Sequence, residues 1–266
     1  MAVGTAMVAL VIGVAVLGPM LAPHTPTQFV QRPYALPSAK ALLGTDGLGR
    51  DVLSRVLNGG FSVLWMSLAA TAIGAALGTT IGLVAGYSRS IIDDVLMWLT
   101  DVVLAFPQVV LVLLFVSMLG PQLWLIVLVV SISHAPRVAR MVRGVTIEIV
   151  NQPFIEAAET IGVPTRDILL RELLPNLVTP LMVEIGLRMT WSIGIVAGIS
   201  FLGFGIQPPA SDWGLMISEN RDGLILQPFG VLAPLAMIAV FTIGTNLLAE
   251  AISRSASNIG DVSPNT

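Results

Sequence analysis

Residues 61–87 read FSVLWMSLAATAIGAALGTTIGLVAGY, without one charged side chain. A helix rises about 1.5 Å per residue, so about 20 apolar residues cover the roughly 30 Å of bilayer hydrocarbon. The stretch therefore reads as a membrane-crossing helix. A barrel strand is excluded, because the run is too long and shows no alternation of apolar and polar residues. Five further stretches follow the same reading, giving spans at about 2–21, 61–87, 93–119, 122–140, 177–204 and 229–250. The expectation is an all-α, polytopic membrane protein with six transmembrane helices, residues 1–266 forming a single transmembrane domain. An even number of spans puts both termini on one side.

Composition agrees. Only 11% of the 266 residues are charged, against about 25% in soluble domains. Hydrophobic residues make up 55%, and the mean hydropathy is +0.88. The net charge of −3, with 13 basic residues, excludes a basic nucleic-acid binder, so membrane lipid is the expected surrounding. The absence of cysteine excludes disulfides and thiolate metal sites. His24 and His134 are too far apart to form a local metal-ligand pair. The uncharged stretch Ala2–Leu21 could be a signal peptide. It has no basic segment before it and no small-residue cleavage site after it, and Pro19, Pro23 and Pro26 suit cleavage poorly, so a retained helix is expected.

Three polar segments separate the spans: His24–Gly60, His134–Asn176 and Ile206–Gln227. With the arginine-rich middle segment inside, Arg89, Arg137, Arg140, Arg143, Arg166, Arg171 and Arg254 lie on the inner side. Arg32, Lys40, Arg50, Arg55 and Arg221 lie outside. This excess places both termini in the cytoplasm. Within the first segment, Val52, Leu53, Val56 and Leu57 share one helical side and Arg50, Ser54 and Arg55 another, the pattern of an interfacial helix. Pro107 is expected to kink the third span. Asp93, Asp94 and Asp101 near its start call for solvation or arginine partners.

Residues 151–176, NQPFIEAAETIGVPTRDILLRELLPN, form the core of a loop spanning about 141–176. Phe154, Ala158 and Ile161 fall at helical spacing and make an apolar stripe, with Glu156, Glu159 and Thr160 facing elsewhere. Gly162 stands where a helix ends and a left-handed backbone is wanted. Thr165 can cap a second helix with Asp167 in its first turn. Ile168, Leu169 and Leu173 give that helix an apolar side, and Pro175 marks the entry into the fifth span. By pattern alone, the segment is either an amphipathic hairpin lying on the membrane or a docking element for a soluble partner.

Glu156-Ala157-Ala158, three further residues, Gly162, and later Leu174-Pro175 resemble the EAA loop of permease subunits of binding-protein-dependent ABC importers. Glu172, where the generic pattern has an apolar residue, is familiar in the peptide and nickel branch. The resemblance extends over nearly the whole chain, towards dipeptide-permease C subunits. It includes Leu43-Gly44-Thr45-Asp46 with Gly49-Arg50-Asp51 and Ser54-Arg55, then Asp101 with Phe106-Pro107, and Ala139-Arg140 with Arg143. It ends with Phe201-Leu202-Gly203-Phe204-Gly205, Pro208-Pro209 and Trp213-Gly214. The chain departs from the pattern in lacking a basic N-terminal tail, at Trp98 where arginine is common, in having no proline just before Trp213, and in its C-terminal tail.

The resemblance implies a type I ABC importer permease fold, transport by alternating access, and location in the cytoplasmic (inner) membrane. It implies a homologous second permease, ATP-binding subunits and an extracytoplasmic substrate-binding protein as partners. It further implies that Glu156, Ala157, Ala158, Gly162, Thr165, Asp167, Leu174 and Pro175 couple to the ATPase. ATP and Mg would be held by the partner subunits and no cofactor by this chain. Relatives of this kind carry dipeptides, oligopeptides, nickel chelates or other small solutes. The chain has no G-x-x-x-x-G-K-[ST], H-E-x-x-H or G-x-S-x-G motif, consistent with a non-catalytic subunit.

Two intramembrane features remain. Gly74, Gly78, Gly82 and Gly86 form a four-residue ladder, read as a helix-packing seam rather than a pore lining, and Gly194 with Gly198 suggests a second seam. Glu184 and Arg188, four apart, can pair on one helix face. They are either a structural ion pair near the cytoplasmic end or a polar lining of the translocation path able to hold a peptide terminus. A secondary, ion-coupled transporter would need more mid-membrane ionisable residues, and a membrane-embedded enzyme would need a nucleophile or metal constellation that is not seen.

Overall fold

The computed structural model describes residues 2–88 and 90–260, with side chains as far as Arg254. Arg89 and the end of the C-terminal tail lie outside the described residues. Helix α1 (Ala2–Leu21) is followed by a long irregular segment and the short α2 (Val52–Asn58). Then come α3 (Gly60–Ser88), α4 (Ile91–Leu104), α5 (Gln108–Leu119) and α6 (Leu123–Val150). The loop contains α7 (Pro153–Thr160), a turn of helix α8 (Thr165–Asp167) and a π-helical stretch, Ile168–Leu173. Helices α9 (Leu174–Phe201), α10 (Trp213–Asn220) and α11 (Phe229–Gly260) complete the chain.

Five helical runs are long and apolar enough to cross a membrane, and the pair α4–α5, bent by 79°, makes a sixth if counted as one span. The kink expected at Pro107 is therefore a full break. Pro107 has an extended backbone and stands at the start of α5, where its missing N–H costs no helical bond.

Helices α3 and α6 form the most extensive contact of the fold. They run parallel, and the glycine ladder is their seam. A Cβ on Gly78 would lie 2.5 Å from the Ala135 carbonyl and 2.5 Å from Val138 Cβ. One on Gly82 would lie 2.5 Å from the Ala139 carbonyl, and one on Gly74 would lie 2.9 Å from that of Ser131. The two backbones approach this closely because no side chain intervenes. The second expected seam does not form within the chain: nothing lies within 4 Å of a Cβ built on Gly194 or Gly198.

Helix α6 also corrects an expected boundary. The fourth span was to end near residue 140, yet the helix runs on to Val150. Its arginines meet acids on α4: Arg143 pairs with Asp93 at 2.6 Å through two nitrogens, and Arg140 pairs with Asp101. The fifth helix likewise starts earlier than expected, at Leu174. His134, placed in the polar loop by sequence, is fully buried. Its Nε2 lies 2.9 Å from Ser192 Oγ, which lies 2.9 Å from Thr71 Oγ1, linking α6, α9 and α3.

At the end opposite the 151–173 loop, the segment between α1 and α3 folds against α10. The interfacial helix expected at Arg50–Gly59 is covered on both sides: Val52 and Val56 join a hydrophobic cluster, and the charged side is buried too. Arg55 is fully buried and Arg50 nearly so. Arg55 Nη1 donates to Asp46 Oδ2 and to Glu219 Oε2, each at 2.7 Å, and Arg50 bonds the same two carboxylates at 2.6 and 3.0 Å. Beside them Asp212, also buried, caps α10 by accepting from Leu215 N (3.0 Å) and takes a bond from Ser62 Oγ (2.5 Å). Burial pushes the Asp212 carboxyl above its ordinary range, against the hydrogen bonds that favour its charge.

Candidate functional site

The loop is built upward from an apolar base. Ile155, Ile168, Leu173 and Leu177 are buried against Leu83 of α3 and Val138 and Val142 of α6. The anchoring face of α7 is thus Ile155 with Ala158, one residue out of step with the stripe expected from sequence. Phe154 and Ile161 point outward, 44% and 79% exposed. They leave an apolar edge on the outer surface of the loop.

Helix α7 ends in a two-bond closure. Gly162 N donates to the Glu159 carbonyl and Val163 N to the Ala158 carbonyl, both at 3.0 Å. This geometry requires a left-handed residue, and Gly162 has φ +81° as expected. The turn is open to its surroundings, with nothing within 4 Å of a Cβ at Gly162. Glu156, Ala157, Thr160 and Thr165 are exposed around it.

Thr165 does not cap the second helix. Pro164, extended, occupies the cap position and Thr165 is already helical, so no side-chain cap bond forms. Asp167 does lie in the first turn, 3.7 Å from Arg171. Leu174 opens α9, with Pro175 in its first turn, where a proline is tolerated. One tether was not foreseen from sequence: Tyr87 Oη, at the end of α3, donates to Glu159 Oε1 at 2.8 Å. Nothing local announces it, since the partners are 72 residues apart.

Glu184 and Arg188 do pair, at 2.9 Å. They stand on the side of α9 that continues, at helical spacing, through Trp191, Gly194 and Gly198. Those residues line an open groove of about 580 Å³ together with Val109 and Phe201. A larger apolar cleft, about 700 Å³, lies between α1, α3, α9 and α11.

A bundle of this kind, with a helical hairpin presented at one end and an open groove along one spanning helix, is the architecture of type I ABC importer permeases. Two solved structures share it. A chain of the inward-facing MetNI methionine ABC transporter matches with a TM-score of 0.56 and 15% identity, over 74% of this chain and 96% of that one. An amino acid ABC transporter crystallised with histidines matches with a TM-score of 0.58 and 19% identity, over 76% and 94%. These likenesses establish the fold.

Sequence relationships establish the family. Residues 78–258 match the family described as Binding-protein-dependent transport system inner membrane component. The glutathione transport system permease protein GsiD of Pectobacterium atrosepticum is 36% identical over 216 residues, covering 81% of this chain and 72% of the relative. The GsiD protein of Escherichia coli O6:K15:H31 is 37% identical, covering 81% and 71%. The chain belongs to the binding-protein-dependent inner membrane component family, as a multi-pass permease component of an ABC importer. That membership disfavours both an ion-coupled transporter and a membrane enzyme.

Proposed function

We propose that this permease forms half of a transmembrane pathway with a homologous second permease, moving dipeptides, oligopeptides or a related small solute inward. The glutathione named for its relatives is a peptide-like solute of this class. ATP is bound with Mg and hydrolysed on partner subunits, and this chain holds no cofactor. The 151–176 loop and both termini face the cytoplasm, in accord with Arg140, Arg143, Arg166 and Arg171 gathered at the loop end. The opposite end, carrying α2 and α10, receives the binding protein.

The observation that carries the coupling role is the Gly162 turn: exposed, closed by two backbone bonds, and seated on a buried apolar base. A rigid projection of this kind transmits displacement, whereas a hairpin lying on lipid would turn its apolar base towards the membrane. Glu156, Ala157, Gly162, Thr165 and Asp167 form the docking end, Ala158 packs beneath it on the apolar base, and Leu174 with Pro175 forms the joint to α9.

The test exploits the lack of cysteine in the chain. Ile161→Cys, in an importer whose ATPase subunit carries a single cysteine introduced in turn along its permease-facing surface, should cross-link to that subunit through a short bis-maleimide, and the yield should change on adding ATP. No cross-link at any ATPase position, with Ile161→Cys alkylated by a lipid-soluble maleimide and shielded from a water-soluble one, would overturn the coupling role.

A further inference from the structure

Arg137 was counted from sequence among the arginines at the loop end. The extension of α6 to Val150 moves it to the middle of that helix, with about 20 Å of axis on either side. Arg188 holds the corresponding position midway along α9. The two lie at about one level, since His134, a turn before Arg137, has its Nε2 2.9 Å from Oγ of Ser192, a turn after Arg188. Glu184 is the carboxylate beside Arg188. Arg137 has no carboxylate partner among the described residues, so its positive charge stands uncompensated there. Ionisable groups within spanning helices line pathways or pair with one another.

The two arginines differ in exposure. Arg137 is exposed at the surface of the bundle. Arg188 is 8% exposed; its Nε lies 2.9 Å from Glu184 Oε1, off hydrogen-bond geometry, and that N–H has no acceptor. On the same side of α9 runs the groove past Trp191, Gly194 and Gly198, with open space in front of both glycines. The groove wall is almost wholly apolar and the cationic pair continues its line. A solute with an apolar body and a single anionic end fits this division. A phosphate ester, which wants several donors around three oxygens, does not.

We propose that Arg137 and Arg188 form a binding site for the carboxylate of the transported solute, whose apolar part lies in the groove beside Gly194 and Gly198. Glu184 holds Arg188 in place without neutralising the pair. The inference rests on the chain lining the pathway and narrows the proposed solute to one bearing a free carboxylate.

The test uses the complete importer in vesicles: this chain, its second permease, the ATPase subunits and the binding protein. Phenylglyoxal modification of Arg137, read by mass spectrometry, is timed with N-acetylalanine or with N-acetylalaninamide present. The acid should slow modification at least about threefold and the amide should not, because only the acid offers a charge-assisted bond. Equal protection, no protection, or an Arg137 that never reacts would overturn the site.

In uptake, the peptide Ala-Phe should outpace its C-terminal amide about tenfold when each saturates the binding protein. Arg137→Gln should bring the two rates together, and Arg137→Lys should keep them apart. An unchanged ratio in Arg137→Gln, or loss of the second permease from that variant, would overturn the proposal. The latter would mean that Arg137 pairs across the subunit interface. A wild-type importer that moves neither peptide, with Arg137 still protected by the acid, would remove the peptide reading and leave the carboxylate site standing.

Discussion

Gly162 offers the sharpest test of the coupling loop, because its surroundings separate two causes that are usually entangled. A Cβ there meets nothing within 4 Å, so no neighbour in the chain resists a side chain. The resistance is in the backbone: φ is +81°, and an L-residue pays about 1–2 kcal/mol in the left-handed region. That is a factor of about 5–30 in the population of the observed turn. If the turn flips, the two closing bonds go as well, each contributing about 0.5–1.5 kcal/mol. Asparagine tolerates this region far better than alanine, and a β-branched residue is worst. Substrate-stimulated ATP hydrolysis by the reconstituted importer should therefore fall in the order Gly, Gly162→Asn, Gly162→Ala, Gly162→Val, with the last abolished. Membrane insertion and binding-protein docking should be normal throughout, and Glu156→Ala, which keeps the turn, should be milder than Gly162→Val. Normal stimulation by Gly162→Val would refute the coupling role. An Asn variant as inactive as Val would refute the backbone argument, leaving bulk inside the partner's cleft as the cause.

Other outcomes follow from the same structure. Gly78→Ala should destabilise this chain itself, before any partner joins, since its Cβ would lie 2.5 Å from a carbonyl oxygen and from Val138 Cβ; a drop in thermal midpoint of the isolated permease in detergent checks this. Arg55→Gln should cost about 3–5 kcal/mol by leaving Asp46 and Glu219 short of a buried partner, read as early proteolysis of the 22–59 segment. Asp212 should give a pH signature. Its folded pKa lies above the unfolded value, so the stability Asp212 contributes is fully present below the unfolded pKa and is lost as pH rises through the folded one. Asp212→Asn should remove that loss, and denaturant unfolding of the wild type that ignores pH across this window would contradict the burial argument.

The spanning helices were legible because lipid tolerates so little charge: uncharged runs such as 61–87 admit few other readings. The left-handed Gly162 was legible because a helix end and a glycine coincide. What sequence concealed was distant compensation. The fourth span was stopped where its arginines begin, yet Asp93 and Asp101, about 40–50 positions earlier, pair with two of them and let α6 continue. Arg50 and Arg55 looked like a solvated face, but Glu219 arrives from beyond the fifth span to join Asp46 in burying them. The stripe on α7 was misjudged by one residue because Phe154 and Ile155 are both apolar, and only the packing of α3 and α6 decides which is covered.

The glycine seam has a mechanical consequence. Backbones in contact at four successive levels cannot slide past one another by a fraction of a turn, so α3 and α6 respond to force as a single stiff lever. The 151–173 loop, for which the coupling role is proposed, grips one end of that lever, through the cluster around Ile155 and the Tyr87–Glu159 bond. Helix α3 alone is about 43 Å long, so a tilt of about 5° at the gripped end carries the far end through about 4 Å. That is close to the thickness of an apolar side chain, enough to open or shut a pathway at the face where α2 and α10 sit.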